Sequence, residues 1–161
     1  MKNYELNKVP YIKNLKELIE LRLSMKNEIA FRYKKRKEAV DVTTAQFQSD
    51  LTGLGTYLYT KGVRNQKIAL IGENSYEWIL SYLAVVNGGN VIVPIDKELS
   101  DEEILGIIDK SGATGLIYSG TYADIAEKRM NLNLFSMKEF SKFIQEGNAQ
   151  ISNGFRDYVD Y

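Results

Sequence analysis

The amino-acid sequence predicts an α/β domain: a doubly wound, mostly parallel sheet flanked by helices, preceded by an N-terminal helix and an antiparallel hairpin. Three observations predict it. Short apolar runs at Lys67 to Gly72, Asn90 to Ile95 and Thr114 to Ser119, with a weaker one at Leu132 to Phe135, alternate with stretches of helical periodicity. Strands and helices that alternate through short connections form parallel sheets covered on both faces. A helix-start signal recurs, in which Ser, Thr or Asn stands three residues before an acid or amide: Asn14/Glu17, Thr43/Gln46, Asn74/Glu77, Ser100/Glu103, Thr121/Asp124 and Ser136/Glu139. In such a pair the first side chain accepts from an orphan helix N–H and the second reaches back to the first residue's backbone. Finally, 161 residues, 44% of them hydrophobic, suit one domain. A chain of that size buries roughly 70% of the surface it exposes when unfolded.

The elements follow in order. After Asn14, Leu15, Leu18 and Ile19 mark a helix. Glu28 to Lys34 sets Ile29, Phe31 and Tyr33 on one face of a strand. Beyond the basic turn Lys34-Lys35-Arg36-Lys37, Glu38 to Val42 returns as the second arm of a hairpin, and the charge discourages edge pairing. Thr43 opens a long helix whose stripe Phe47, Leu51, Leu54 and Leu58 ends at Gly62, a C-terminal cap. After Asn74, the residues Trp78, Ile79, Leu80, Tyr82, Leu83, Val85 and Val86 cover nearly the whole circumference, which predicts a buried, central helix. Ser100 starts a helix carrying Ile104, Leu105, Ile107 and Ile108 and ending at Gly112. Thr121 caps a strand-to-helix turn, and Ser136 starts a last helix with Phe140, Phe143 and Ile144, ending at Gly147. One domain over residues 1–161 is expected: helix and hairpin over 1–42, the β/α core over 43–147, and a truncated tail over 148–161 whose last six residues, 156–161, show no helix or strand pattern.

Composition excludes more chemistry than it suggests. With no cysteine and no histidine, the chain cannot build disulfides, thiolate nucleophiles, Cys/His zinc sites or an imidazole general base. Lys plus Arg equals Asp plus Glu, 21 each, so no nucleic-acid footprint is expected. The N-terminus carries no signal-peptide pattern, and the apolar segment Trp78 to Val86 is far too short to span a bilayer. A cytoplasmic location is expected.

In open α/β sheets, ligands bind beyond the carboxyl ends of the strands. Those ends hold Gly72-Glu73-Asn74, Ile95-Asp96-Lys97 and Ser119-Gly120-Thr121. On neighbouring strands, Glu73 and Asp96 would share a crevice able to hold Mg²⁺; equally, both are solvated acids beside helix N-termini, where the helix dipole favours them. Ser119-Gly120-Thr121 lacks the second glycine and the lysine of a phosphate loop, and Asp124 follows. No G-x-x-x-x-G-K-S/T occurs, and no G-x-G-x-x-G follows a strand. From residue chemistry alone, a stand-alone flavodoxin- or receiver-like binding module using the Glu73/Asp96 crevice stays open, as does an interaction domain without a small ligand.

Four segments carry a resemblance. Val42-Thr43-Thr44-Ala45-Gln46-Phe47 resembles the "(V/I)-T-Y-x-(E/Q)-(F/L)" start of the first long helix in the adenylate-forming (AMP-binding) synthetases. Lys67 through Trp78 (KIALIGENSYEW) is similar to their "V-A-I-x-x-x-N-S-x-E-W" segment. Pro94-Ile95-Asp96 resembles "V-P-(L/I)-(D/N)", and Asp109-Lys110-Ser111-Gly112-Ala113 resembles "D-x-S-G-A". They occur in the family's order over roughly residues 15 to 120, and the Gly-Glu-Asn-x-x-Glu-Trp form with Asp96-Lys97-Glu98-Leu99 is most similar to the long-chain acyl-CoA synthetase (fatty-acid–CoA ligase) branch.

The resemblance implies a two-step ligase: a carboxylate attacks the α-phosphate of Mg-ATP to give an acyl-adenylate, and coenzyme A then displaces AMP. It also implies an N-terminal portion of such an enzyme. The family's glycine-rich ATP loop, its later nucleotide-binding motifs and its C-terminal catalytic lysine have no counterpart in these 161 residues. No catalytic, cofactor or metal residue carries over. Thr43, Asn74, Glu77, Trp78, Pro94 and Gly112 are expected as structural motif residues, with Asn74 and Glu77 capping the buried helix. By this reading the chain is inactive alone. ATP, Mg²⁺ and coenzyme A belong to the parent enzyme, the partner is the remainder of the same polypeptide, and a face meant for that remainder could self-associate.

Overall fold

The computed structural model describes residues 10–24, 28–35 and 38–158. Helix α1 (Leu15–Ser24) begins where Asn14 Oδ1 accepts from the Glu17 N–H at 2.9 Å. Strands β1 (Ile29–Lys35) and β2 (Glu38–Thr43) pair antiparallel, and Arg32 and Asp41 face each other across the ladder, with Nη2 donating to Oδ2 at 2.8 Å. The tip of the expected basic turn, at positions 36 and 37, lies outside the described residues. Then come α2 (Thr44–Thr60), β3 (Lys67–Ile71), α3 (Tyr76–Asn87), β4 (Val91–Pro94), α4 (Asp101–Ser111), β5 (Gly115–Tyr118), a short α5 (Ala123–Glu127), β6 (Asn133–Ser136) and α6 (Phe140–Ser152).

The four later strands form one parallel sheet in the order β4-β3-β5-β6. Alternation along β3 divides the core in two. Ile68 and Leu70 face a layer built by α2, α3 and α6, whereas Ala69 and Ile71 face α4 and α5. The first layer is aromatic, with Tyr57 stacked on Phe143 at 4.3 Å and Phe135 edge-on to both. The second is aliphatic, built on Ile104, Ile108, Leu116 and Ile125. This is the expected doubly wound α/β fold.

Several boundaries differ from expectation. Gly147 does not end a helix: α6 continues to Ser152, taking in residues assigned to the tail. A Cβ at Gly147 would lie 1.9 Å from the Gly53 carbonyl oxygen, so glycine is there because α6 crosses α2 backbone to backbone. Helix α3 is not enclosed on all sides; Tyr76, Leu80, Ser81, Ala84 and Val85 are buried, but Ile79 is 37% exposed. The more enclosed helix is α2, sandwiched by α3, α6 and the hairpin. Nor does Thr121 cap: a single 3₁₀ turn over Gly120–Tyr122 leads into α5 without a side-chain cap.

The segment after α6 has no regular structure, yet Tyr158 is 2% exposed. Its ring fills a slot between α2 and α3 that exists because Gly55 and Gly88 lack side chains; a Cβ at Gly55 would sit 1.9 Å from the ring carbon Cζ. Its hydroxyl donates to the Ala84 carbonyl at 3.1 Å and accepts from Asn87 Nδ2 at 3.4 Å. Burial pushes the Tyr158 phenol up to about 12.

Gly147→Ala should destabilise the fold by about 3 kcal/mol, the upper range for overpacking. Gly106→Ala, in α4 with nothing within 4 Å of the added Cβ, should gain about 0.5–1 kcal/mol by removing unfolded-chain freedom. Urea denaturation of both variants checks the contrast. For Tyr158, the raised folded-state value means its stabilisation is complete below the unfolded phenol's range and is lost as pH rises through about 12. Tyr158→Phe should therefore be less stable than the parent at pH 8 but lose less stability between pH 10 and 12, measured by urea melts across that range.

Candidate functional site

In the order β4-β3-β5-β6 the chain runs outward from β3 to β4, then crosses back to β5 on the far side of β3. The strand order therefore reverses between β3 and β5, and a ligand crevice in such a sheet opens at that reversal. The residues there are Gly72 and Glu73 beyond β3, and Ser119, Gly120 and Thr121 beyond β5. Gly72 packs closely here, since a Cβ would meet the Ser119 side chain at 3.0 Å.

Glu73 turns toward this point. The hydroxyls of Thr121 and Ser119 hold its carboxyl below the usual carboxylate range, against a smaller effect of burial, and the Lys97 ammonium adds to them. Ser119 is 8% exposed. The aliphatic end of Lys138 lies across Gly120, where a Cβ would meet Cε at 2.1 Å. The Tyr122 hydroxyl donates to the Lys97 carbonyl at 3.0 Å, tying the β5 and β4 ends together.

Asp96 belongs to a different cleft. Although β3 and β4 are neighbours, the crevice between their ends is lined by Gly72, Asn74, Trp78, Pro94, Asp96 and Lys97, without Glu73. Asp96 Oδ1 accepts from the Glu98 N–H at 3.0 Å, closing a local turn. The expected Glu73/Asp96 pair is thus split by the direction in which Glu73 turns. Among the described residues, no three of His, Cys, Asp and Glu gather as a metal site.

The remaining motif residues take these positions. Thr43 is the N-cap of α2, its side chain accepting from the Gln46 N–H at 3.2 Å. At α3 the cap is Ser75, which accepts from the Trp78 N–H at 3.1 Å; Asn74 is exposed one residue earlier, and Glu77 lies in the first turn, where its charge suits the helix dipole. The expected Asn74/Glu77 box is displaced because Ser75 has the extended backbone that a cap needs. Trp78 is half-buried, stacks on Tyr82 at 5.9 Å, and separates the β3/β4 crevice from an apolar hollow beside the hairpin. Pro94 closes edge strand β4, where a missing N–H costs nothing. Gly112 is left-handed at φ 67° and caps α4, whose start is the full Ser100/Glu103 capping box. Asp109, one turn before, pairs with Arg129 through two bonds of 2.9 and 2.6 Å.

Chemically, the β3/β5 crevice offers hydroxyls and two ammonium groups around an ionised carboxylate, with no base or nucleophile of unusual reactivity. The sequence reading missed Lys138 and the turning of Glu73. The only available signal was strand order, which periodicity does not reveal.

The comparisons with known proteins agree with this architecture. A profile of AMP-binding enzymes matches residues 23–150. The chain is 22% identical over 129 residues to a (7a-methyl-1,5-dioxo-octahydro-1H-inden-4-yl)propanoyl:CoA ligase of Rhodococcus jostii, covering 76% of this chain and 24% of that protein. It is 24% identical over 82 residues to the mouse mitochondrial medium-chain acyl-CoA ligase ACSF2, covering 50% of this chain and 13% of the relative. Among solved structures, the N-terminal domain of FACL13 from Mycobacterium tuberculosis superposes with a TM-score of 0.71 at 19% identity, over 83% of this chain and 36% of that one. The anthranilate CoA ligase AuaEII superposes at 0.72 and 22% identity, over 85% of this chain and 28% of that one. The chain spans about a quarter or less of the length of the curated relatives it matches. No described helix is long and apolar enough to cross a membrane. With its profile match running from the end of α1 into α6, the chain belongs to the AMP-binding enzyme family.

Proposed function

We propose that this chain is the N-terminal scaffold of an ATP-dependent acyl-CoA ligase that activates a carboxylate, a fatty acid, as its adenylate and transfers it to coenzyme A. The observation that carries the reading is the family match over residues 23–150, which takes in the whole parallel sheet. The relatives' names, a propanoyl:CoA ligase and a medium-chain acyl-CoA ligase, support the reaction class. The fatty-acid preference rests on the Gly72-Glu73-Asn74 to Trp78 and Asp96 to Leu99 segments.

The chain's own crevice does not fit a triphosphate. An ionised Glu73 faces the turn where phosphate would sit, and Lys138 Cε occupies the open side of Gly120. Phosphate cradles need several free backbone N–H groups and no opposing carboxylate. We therefore place the nucleotide, its Mg²⁺ and coenzyme A on residues of the enzyme outside these 161. In this reading the chain contributes a rigid sheet with its strand ends set toward the rest of the enzyme, and is inactive alone.

Calorimetry of the chain with Mg-ATP should show binding no tighter than about 1 mM, equivalent to about 4 kcal/mol. Micromolar binding would place the phosphate site within this chain and overturn the assignment. Pyrophosphate release by the polypeptide that carries the chain should depend on a fatty acid such as palmitate in preference to benzoate, and should be absent from the chain alone. Turnover of benzoate but not palmitate would remove the fatty-acid reading while leaving the ligase one.

A further inference from the structure

On the aromatic side of the sheet, α2, the start of α3, Tyr33 of β1 and the face of α6 from Phe140 to Asn148 line a cleft of about 540 Å³ that the ligase reading does not use. Its floor is Asp50, in the middle of α2 and only 8% exposed. Both carboxylate oxygens accept hydrogen bonds, and both donors are neutral: Gln46 Nε2 to Oδ1 at 2.7 Å, and the Tyr76 hydroxyl to Oδ2 at 2.8 Å. Glu77 supplies a second carboxylate to the wall. Among the described residues lining the cleft, none is a lysine or an arginine.

Buried charge is normally paired with its opposite, because hydrogen bonds from neutral groups replace only part of the lost hydration. The N-termini of α3 and α6 open beside the cleft, and each contributes about half a positive charge. Set against two carboxylates, that leaves the cleft negative. The two tyrosines register it. Burial raises the Tyr76 phenol most, with the hydrogen bond and charge of Asp50 and the charge of Glu77 adding to it; burial, Glu77 and Asp50, in that order, raise Tyr33. Tyr33, from β1, lies parallel to Tyr76 with ring centroids 5.9 Å apart and interplanar angle 1°, so an aromatic wall stands beside the acids. Leu80, Phe140 and Ile144 supply apolar surface, and Gln145 and Asn148 supply polar groups.

We propose that this cleft is a binding site for a small organic cation, a guanidinium or primary ammonium group on a short alkyl chain. The cation sits between Asp50 and Glu77 and against the Tyr33 ring, where charge-assisted hydrogen bonds and the ring quadrupole both favour it. Its alkyl stem lies on Leu80 and Ile144. The volume is within the range of small-ligand sites. The inference does not rest on the ligase reading, since none of its residues lies in the β3/β5 crevice.

Calorimetry and amide chemical-shift mapping with agmatine and butylguanidine test it. Saturable binding at submillimolar concentration is expected, with shifts on α2 near Asp50 and on the first turn of α3. Butylurea, the neutral isostere, should give none. Asp50→Asn should weaken agmatine by about tenfold or more, as for loss of a charged hydrogen-bond partner. If Asp50→Asn proves unfolded by circular dichroism, Glu77→Gln on the more accessible wall should still weaken binding severalfold, and added salt should weaken it in the parent. No saturation by about 10 mM, equal binding of butylurea, or unchanged affinity in the folded variants would overturn the proposal.

Discussion

The crossing of α2 and α6 at Gly53 and Gly147 is the constraint on which the rest of the aromatic layer depends. Side chains normally hold packed helices 8–10 Å apart. Here a Cβ on Gly147 would meet the Gly53 carbonyl oxygen at 1.9 Å, and one on Gly53 would meet the Ile144 carbonyl oxygen at 2.8 Å. The two backbones are therefore in contact, and neighbouring positions must adjust to that spacing. Tyr57 and Phe143 stack flat because the helices are close enough for face contact, and Phe135 from β6 fits edge-on beneath them. Toward the N-terminal end of α2, larger side chains intervene, with Asp50, Ile144 and Asn148 at the margin, and the cleft above Asp50 opens in the space left.

The sheet imposes a second, independent constraint. Because β5 returns to the side of β3 opposite β4, the loops beyond β3 and β5 diverge over opposite faces. Glu73 responds to that geometry. It could reach across to the β4 end, but the hydroxyls of Ser119 and Thr121 provide polar company on the β5 side, and burial there is offset by hydrogen bonding to the ionised form.

Local features were legible in the sequence. Thr43, Ser100 and Gly112 act within a few residues of themselves, through an N–H three positions on or a left-handed backbone. So the helix starts, the strand runs and the α/β class follow from short-range physics. Errors arose where a residue had a tertiary reason. Gly147 carries the same local signal as a C-cap, yet its purpose is contact with a backbone almost a hundred residues earlier in the chain. Asn74 and Ser75 are both capable caps, and only backbone conformation decides between them. Asp50 carries no local signal at all, because nothing near it in sequence says that Tyr76 will reach its carboxylate.

Tyr158 shows why such tertiary reasons matter for the last segment as well. A phenol six residues past the end of α6 fills a slot made by two glycines on different helices, Gly55 and Gly88, and its hydroxyl completes the Ala84 carbonyl near the end of α3. One ring thus ties the segment following α6 to both helices that flank the sheet's aromatic layer. Since α2 is already held against α6 by the glycine crossing, the ring closes a circuit of contacts, α2 to α6 to Tyr158 and back to α2 and α3. A closed circuit transmits strain from any one helix to the others in a close-packed interior. The cleft above Asp50 is bounded by the same three helices, so its width is set by packing on both sides of it.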